Sequence, residues 1–319
     1  MSFAPTPPWL HRLAVALMIA TLLLIAIGAS VTSTGSGLAV PDWPLSFGQV
    51  FPPMVGGVLY EHSHRMAAAV VGMLTITLMV LMARWEPRAW LQWVSRTAAL
   101  AVVLQGLLGG ITVLWLLPTA ISVSHACLAQ AFLCLTVTLA VCTGPSWQRR
   151  RVSREEASQP RLVVLAGVTT GMIYVQLIVG ALMRHTGAGL AIPDFPLAFG
   201  RLVPPLDSPG VLVHFLHRVG AVVVTLGIAW TVARVIRQHA EERQLLRPAL
   251  TLVSLLLVQL TLGALTIWTR RAVLPVTAHV AVGAAVLATS LFLTLRSVHL
   301  LAFRVGAHER NVLTEQVSA

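Results

Sequence analysis

Long apolar segments alternate with short polar ones along this chain. Apolar runs of about 20 residues, the length that crosses a hydrocarbon core of roughly 30 Å, can be placed eight times. They cover residues 10–31, 62–83, 93–116, 119–142, 162–183, 211–233, 248–269 and 274–295. The pattern predicts an all-α integral membrane protein with eight transmembrane helices.

The composition agrees with this pattern. Of 319 residues, 56% are apolar and 10% are charged, which leaves too little polar surface to enclose a water-soluble core. The first apolar run follows His11 and Arg12, as in a secretory signal, but it continues to Val31 and is long enough to span. It is therefore predicted to be a retained first helix.

The distribution of arginine predicts the topology. The net charge is +11, and all 22 basic residues are arginines. They cluster between the apolar runs, which is typical of cytoplasmic loops and not of a nucleic-acid-binding surface, so no nucleic-acid partner is expected. Sixteen arginines fall on the side that carries both termini and six on the other. This bias predicts a multi-pass protein of the plasma membrane with both termini in the cytoplasm.

One polar stretch occurs twice. Residues 34–53 read TGSGLAVPDWPLSFGQVFPP and residues 186–205 read TGAGLAIPDFPLAFGRLVPP, identical at 13 of 20 positions without a gap. Each copy is followed by a histidine–arginine pair that opens an apolar run: His64-Arg65 and His217-Arg218. Both copies are predicted to face outward.

The repeat extends beyond this stretch. Four further residues recur at a constant offset of 154, namely Gln105, Gly109, Thr112 and His125, as Gln259, Gly263, Thr266 and His279. Each half therefore holds four helices, and because four is even, both halves enter the membrane in the same orientation. The predicted fold is two tandem four-helix bundles related by a pseudo-twofold axis, residues 1–148 and 162–319, joined by a cytoplasmic linker at 149–161.

Histidines occupy equivalent places in the two halves. His64 and His125 lie in or at the ends of apolar helices of the first half, and His217 and His279 do so in the second. Ionisable residues inside a membrane are costly and are commonly functional. Two imidazoles from facing helices can supply both axial ligands of a haem iron. A single membrane histidine is more often a hydrogen-bonded packing residue, but four at matched positions favour one haem in each half.

The charged residues beside these histidines are candidates for further contacts. Arg65 and Arg218 can pair with haem propionates at the outer membrane edge, or can simply extend to the interface. Glu61 shares a helix face with His64 and can act as a base or stabilise positive charge on the bound group; its alternative role is to satisfy the helix N-terminus. The second half carries His214 at this place. The difference predicts chemistry in the first half and a permanent cofactor in the second.

Other candidate residues receive structural interpretations. The three cysteines lie within one apolar run, without disulfide or zinc spacing: Cys127, Cys134 and Cys142. The histidines at helix ends or in tails are interpreted as structural or solvated: His11, His185, His239, His299 and His308. His62 is left undecided. Asp42 and Asp194, with the prolines of the repeated stretch, are predicted to fix the shape of a cap over each haem pocket.

In combination, these motifs resemble the haem A synthase family over about residues 10–296. The resemblance is carried by the T-G-x-G-L-A-x-P-D-x-P-L-x-F-G stretch, the E-x-x-H-R motif from Glu61 to Arg65 and the paired histidines. Members of that family oxidise a methyl group of haem O to a formyl group by successive hydroxylations, which gives haem A for cytochrome oxidase. Neither repeated stretch here contains the cysteine pair that some members carry in their outer loops, so a thiol role there does not apply.

The resemblance implies a role for each candidate residue. His64 and His125 would hold the haem O substrate with Glu61 as the catalytic carboxylate, and His217 and His279 would ligate a haem b that relays electrons. It also implies a membrane haem O synthase as the donor of the substrate, and a bundle open to lipid for the isoprenoid tail. The electron donor is unknown, and a homo-oligomer is left open.

Two other classes of protein compete with this interpretation. A two-haem membrane cytochrome that only transfers electrons would use the same four histidines, and the need for Glu61 distinguishes it from an enzyme. A transporter built from parallel repeats would not explain four matched histidines.

Overall fold

The computed structural model describes residues 6–148 and 161–301. Within these ranges the helices are α1 Pro8–Ser33, α2 Gly57–Trp85, α3 Ala89–Leu114, α4 Thr119–Thr143, α5 Pro145–Gln148, α6 Leu162–His185, the 3-10 helix Ala188–Leu190, α7 Pro209–Gln238, α8 Arg243–Trp268 and α9 Val273–Leu300. The same ranges contain no strand, only isolated bridges in the two repeated loops. All helices except the one-turn α5 and the 3-10 helix are long and apolar enough to cross a membrane. The prediction of eight transmembrane helices is confirmed.

Several helices run farther than the apolar pattern indicated. α2 begins at Gly57 and not at residue 62, because Gly57 and Glu61 interrupt the apolar pattern in its first turn. α8 begins at Arg243, one turn before the predicted start at Pro248, since Glu242 accepts the backbone N–H of Gln244 and caps the helix.

α3 ends slightly earlier than predicted. The apolar pattern predicts that this helix extends to residue 116, but the helix ends at Leu114. Leu116 and Leu117 have positive φ angles of 58° and 61°, a left-handed conformation that cannot continue an α-helix.

The transmembrane helices form two groups of four. In the first group α1 contacts α2 and α4, and α3 contacts α2 and α4; in the second, α6 contacts α7 and α9, and α8 contacts α7 and α9. The groups meet where α9 contacts α1 and α4, and where α4 contacts α6. The pseudo-twofold axis and the domain limits 1–148 and 162–319 stay predictions. The predicted linker lies outside the described residues except for Arg161.

Each group has its own apolar core. Leu10, Leu78 and Leu91 are buried in the first group, and Ile228 and Leu287 are buried in the second. A third cluster lies between the groups, where Leu133 and Val137 of α4 pack with Ala284 of α9. The two groups of four helices therefore have separate apolar interiors. The candidate ligand histidines of each half lie on the helices of their own group.

Candidate functional site

The two repeated loops lie at the same end of the helices, which we call the loop side. Asp42 accepts the backbone N–H groups of Phe47 and Gly48 at 2.7 and 2.8 Å. These bonds, with that of Gly48 first, hold the pKa of the Asp42 carboxyl below its usual range because they stabilise the charged form. The second loop repeats the distances, with Asp194 accepting from Phe199 and Gly200. The structure confirms that the two aspartates fix the shape of the loops.

Arg65 fastens the first loop to the start of α2. Its Nη1 donates to the carbonyl oxygens of Asp42 and Leu45 at 2.6 and 2.7 Å. Its Nη2 donates to the carbonyl of Val40 at 3.1 Å and to Oε1 of Glu61 at 2.5 Å. Both terminal nitrogens have then used all their N–H donors.

Arg218 does the same for the second loop. It donates from Nη1 to the carbonyl of Leu197 at 2.8 Å and from Nη2 to the carbonyls of Ile192 and Asp194 at 3.2 and 2.6 Å. Each arginine thus has a loop-holding role that the sequence did not reveal. Their pairing with haem propionates stays a prediction.

Glu61 also contacts the loop. Its side chain is buried, with 4% of the residue exposed, and Oε2 accepts the backbone N–H of Val40 at 2.9 Å. His214 occupies the equivalent place with 3% exposed, and its Nδ1 accepts the backbone N–H of Ile192 at 3.2 Å. The residue three positions before each histidine–arginine pair therefore satisfies the same loop donor in both halves.

All four candidate ligand histidines pack against glycines of neighbouring helices. A Cβ atom added to Gly28 of α1 would lie 2.8 Å from Cε1 of His64, and one added to Gly180 of α6 would lie 3.0 Å from Cε1 of His217. The other two sites repeat this at 3.3 Å: Gly109 beside His125, and Gly263 beside His279. Glycine thus lets each imidazole lie close to the neighbouring helix, and an added Cβ would require the ring to shift, most of all at Gly28.

Sequence reasoning had singled out only half of these glycines. Gly109 and Gly263 were noted as recurring small residues, whereas Gly28 and Gly180 were not recognised. The sequence does contain a signal for these two glycines. Gly28 and Gly180 are separated by 152 residues, the same offset as the repeated stretches. Alignment of the first helix of each half would have paired them.

Glutamines surround the histidines as well. Nε2 of Gln105 donates to the backbone carbonyl of His125 at 2.9 Å, and Nε2 of Gln259 lies 3.4 Å from Nε2 of His279. Gln176, which the sequence had not singled out, donates from Nε2 to the carbonyl of His217 at 2.7 Å. These contacts orient the histidine-bearing turns of the helices.

The four imidazoles have a donor set that suits an iron porphyrin. Nδ1 of His64, His125 and His279 is buried without a hydrogen-bond partner among the described residues. The rings of His217 and His279 lie close together, with centroids 6.5 Å apart and planes inclined by 70°, so both imidazoles could serve as ligands of one haem iron, which would supply one-electron redox chemistry. In residues 6–148 and 161–301 no three His, Cys, Asp or Glu side chains converge on a bare metal ion, but a haem iron needs only two side-chain ligands.

His62 differs from the other histidines. Its Nδ1 lies 2.9 Å from Oγ of Ser46 in the first loop, and it lines a cavity of about 360 Å³ with Phe51, Pro52, Met54, Ser63 and Met66. On a helix, positions 62 and 64 point to opposite sides, so this cavity lies away from the His64 imidazole.

The remaining candidates occupy structural places. His11 hydrogen-bonds Thr143 with 3.1 Å between Nδ1 and Oγ1, and His299 stacks on Trp147 with ring centroids 4.6 Å apart. The three cysteines are free thiols in α4. His308 lies outside the described residues.

Comparison with known proteins identifies the family. The sequence matches the model of the family described as cytochrome oxidase assembly protein, COX15-CtaA, over residues 11–291. A relative from Symbiobacterium thermophilum, named Heme A synthase, is 34% identical over 267 residues, which cover 79% of this chain and 84% of the relative. A relative of the same name from Shouchella clausii is 35% identical over 239 residues, 70% of this chain and 76% of the relative.

A third relative with that name, from Halalkalibacterium halodurans, is 30% identical over 261 residues, 77% of this chain and 82% of the relative. The family match spans all eight transmembrane helices, including the repeated loops and the four histidines with their glycines. The chain belongs to the COX15-CtaA family of cytochrome oxidase assembly proteins.

Proposed function

We propose that this protein is a haem A synthase, an oxidoreductase that converts a methyl group of haem O to a formyl group by successive hydroxylations. The observation that carries the proposal is the proximity of two imidazoles, those of His217 and His279, whose ring centroids lie 6.5 Å apart. Each of the two rings packs on a glycine. The first half repeats the glycine contacts at His64 and His125. The printed name of the relatives supports the same activity.

The two halves have different tasks in this proposal. His64 and His125 hold the substrate haem O, and His217 and His279 hold a resident haem b. When bound, haem b supplies reversible one-electron transfer. The chain's own contribution is to orient both imidazole pairs on glycines and to cover both interiors with rigid loops.

Glu61 is the proposed catalytic carboxylate. It lies one helical turn before His64, so its carboxylate is on the same side of α2 as the imidazole. The N–H of Val40 and the guanidinium of Arg65 hold its two oxygens in place. From there the carboxylate can accept a proton or stabilise positive charge on the bound substrate.

The proposed topology follows from the arginine distribution. The chain is a multi-pass membrane protein, and the excess of arginine opposite the loop side supports cytoplasmic termini and loops at the outer face. A membrane haem O synthase is the proposed source of the substrate. The isoprenoid tail of haem O can stay in lipid while the ring enters the first bundle.

The test is to express the full chain in a host that makes haem O but lacks its own haem A synthase. Haems are extracted from the membranes and identified by chromatography and mass spectrometry. The proposal expects haem A to accumulate. A protein that binds haem but yields no haem A would overturn it and would favour the electron-transferring cytochrome.

A further inference from the structure

Arg184 connects the two halves at the loop-side end of α6. Its Nη2 donates to the backbone carbonyl of Ala29 and to Oγ of Ser33, both in α1 and both at 2.9 Å. The same Ser33 hydroxyl accepts a hydrogen bond from Thr277 of α9 at 3.1 Å. One terminal nitrogen of the guanidinium is therefore used for contacts across the interface.

The charge of Arg184 has no carboxylate to balance it among the described residues. The ion pairs of Arg65 with Glu61 and of Arg88 with Glu86 do not include Arg184. Arg271 adds a second positive charge that acts on Arg184. A cation at the edge of a membrane interior is costly unless an anion pairs with it, so this place favours an anionic ligand.

The position of Arg184 relates it to the histidine pair of the second half. It lies one turn beyond Gly180 on the same side of α6, and Gly180 is the glycine on which the ring of His217 packs. At the offset of 152 the first half has Thr32, so only the second half carries this arginine.

The guanidinium of Arg184 keeps N–H groups that can donate to a carboxylate. Nη1 and Nε of Arg184 donate to no acceptor in residues 6–148 and 161–301. They lie on different edges of the guanidinium, so each can donate a single charge-assisted hydrogen bond to a carboxylate oxygen. Arg65 is less suited, because the loop and Glu61 take all four N–H groups of its terminal nitrogens, and at Arg218 the second loop takes three of the four.

We propose that Arg184 binds a propionate of the haem that His217 and His279 hold. The inference rests on the proposed function for the presence of haem in the second half, but it is separate from the reaction in the first half. It makes Arg184 a positioning residue that orients the haem and joins its propionate edge to α1 through Ser33.

The experiment measures how strongly the site prefers a free propionate to an ester. The full-length chain, produced without haem and carrying His64→Ala and His125→Ala so that only the second site responds, is titrated in detergent with hemin and with hemin dimethyl ester. Formation of the low-spin spectrum reports binding. Hemin is expected to bind about 10-fold or more tightly than the ester, the effect of a charge-assisted hydrogen bond.

Variants locate the source of that preference. Arg184→Gln is expected to bind hemin and the ester equally, and Arg184→Lys, which keeps the charge, to show an intermediate preference. Ser33→Ala removes an acceptor of the interface contact but keeps the guanidinium, so the full preference is expected to remain. Arg218→Gln tests the competing candidate, the arginine that the sequence pairs with a propionate; if Arg184 is the partner of the carboxylate, the preference for hemin is retained in this variant.

The outcomes separate this inference from the proposed function. A full preference for hemin in both Arg184 variants, or its loss in Arg218→Gln instead, would overturn the role of Arg184 while leaving the haem site intact. A low-spin spectrum that persists after His217→Ala would instead contradict the haem assignment of the second half itself.

Discussion

The backbone N–H of Val40 lies 2.9 Å from Oε2 of Glu61, and this contact ties the first repeated loop to α2. Ile192 makes the matching bond to His214 in the second half. A buried N–H that loses its acceptor costs about 1–3 kcal/mol, so position 61 has a structural duty besides its proposed catalytic one. The two duties make different predictions for substitutions.

Glu61→Gln is expected to abolish haem A formation while leaving the loop in place. The amide oxygen can still accept the N–H of Val40, although the NH2 group cannot accept from Arg65 as the second carboxylate oxygen does. The carboxylate that serves as base is gone, and such groups contribute roughly 10²- to 10⁴-fold to rates. Glu61→Ala is expected to lose the activity and the loop contact together. Haem A in membrane extracts measures the first effect, and protease resistance of residues 34–53 measures the second.

Glu61→His is the matched control, because it copies the second half. It is expected to restore protease resistance without restoring haem A. Wild-type levels of haem A from the glutamine variant would contradict the catalytic role and leave Glu61 as a loop contact only.

The glycines beneath the histidines give a second prediction. Gly180→Ala places a methyl group 3.0 Å from Cε1 of His217, so it is expected to displace the ring and lower the haem content of the second half. The overpacking is expected to cost about 1–3 kcal/mol of stability. Gly171→Ala, on the same helix with nothing within 4 Å of the added atom, is the control and is expected to be neutral or slightly stabilising.

The same comparison in α3 should show a smaller effect. Gly109→Ala brings a methyl group only to 3.3 Å from His125, whereas Gly106→Ala meets nothing within 4 Å. Haem content per protein and thermal stability in detergent measure both pairs. Equal behaviour of Gly180→Ala and Gly171→Ala would show that the histidine does not need the glycine.

Loss of either imidazole of the second half is the third prediction. His217→Ala or His279→Ala is expected to remove the tightly bound haem b and with it the reduced low-spin absorption band. His11→Ala, which removes a bond to Thr143 at the opposite end of α1, is expected to leave the spectrum unchanged. An unaltered band in both ligand variants would refute the assignment.

The fourth prediction concerns pH and the first loop. The N–H groups of Gly48 and Phe47 lower the pKa of Asp42. A lowered pKa in the folded protein means that the stabilisation is fully present above the usual aspartate value, about 4, and is lost as the pH falls through the lowered value. Hydrogen exchange of the Phe47 and Gly48 amides, corrected for intrinsic rates, should thus show constant protection from about pH 8 to about pH 5 and a loss only below about pH 4.

Asp42→Asn removes the titrating group and is the control for this measurement. Its amides are expected to exchange faster than those of the wild type above about pH 5, with no step at lower pH. A step in the wild type near neutral pH would show that another group controls the loop.

The helices could be predicted from the sequence because about 20 apolar residues in a row are a strong signal. The ends could not, since Gly57 and Glu61 interrupt the apolar pattern at the start of α2 and Pro248 is tolerated inside the first turns of α8. The roles of single residues were harder still. Arg65 and Arg218 donate to backbone carbonyls, and backbone acceptors leave no trace in a sequence pattern.

The shared contact at Glu61 and His214 also bears on how the two halves came to differ. The loop requires only a buried lone pair at this position, and a carboxylate oxygen and an unprotonated imidazole nitrogen supply it equally well. After duplication, one copy could therefore change its acid–base chemistry without rebuilding its cap. Because the loop requires only a hydrogen-bond acceptor at this position, the acid–base properties of the side chain can differ between the two halves.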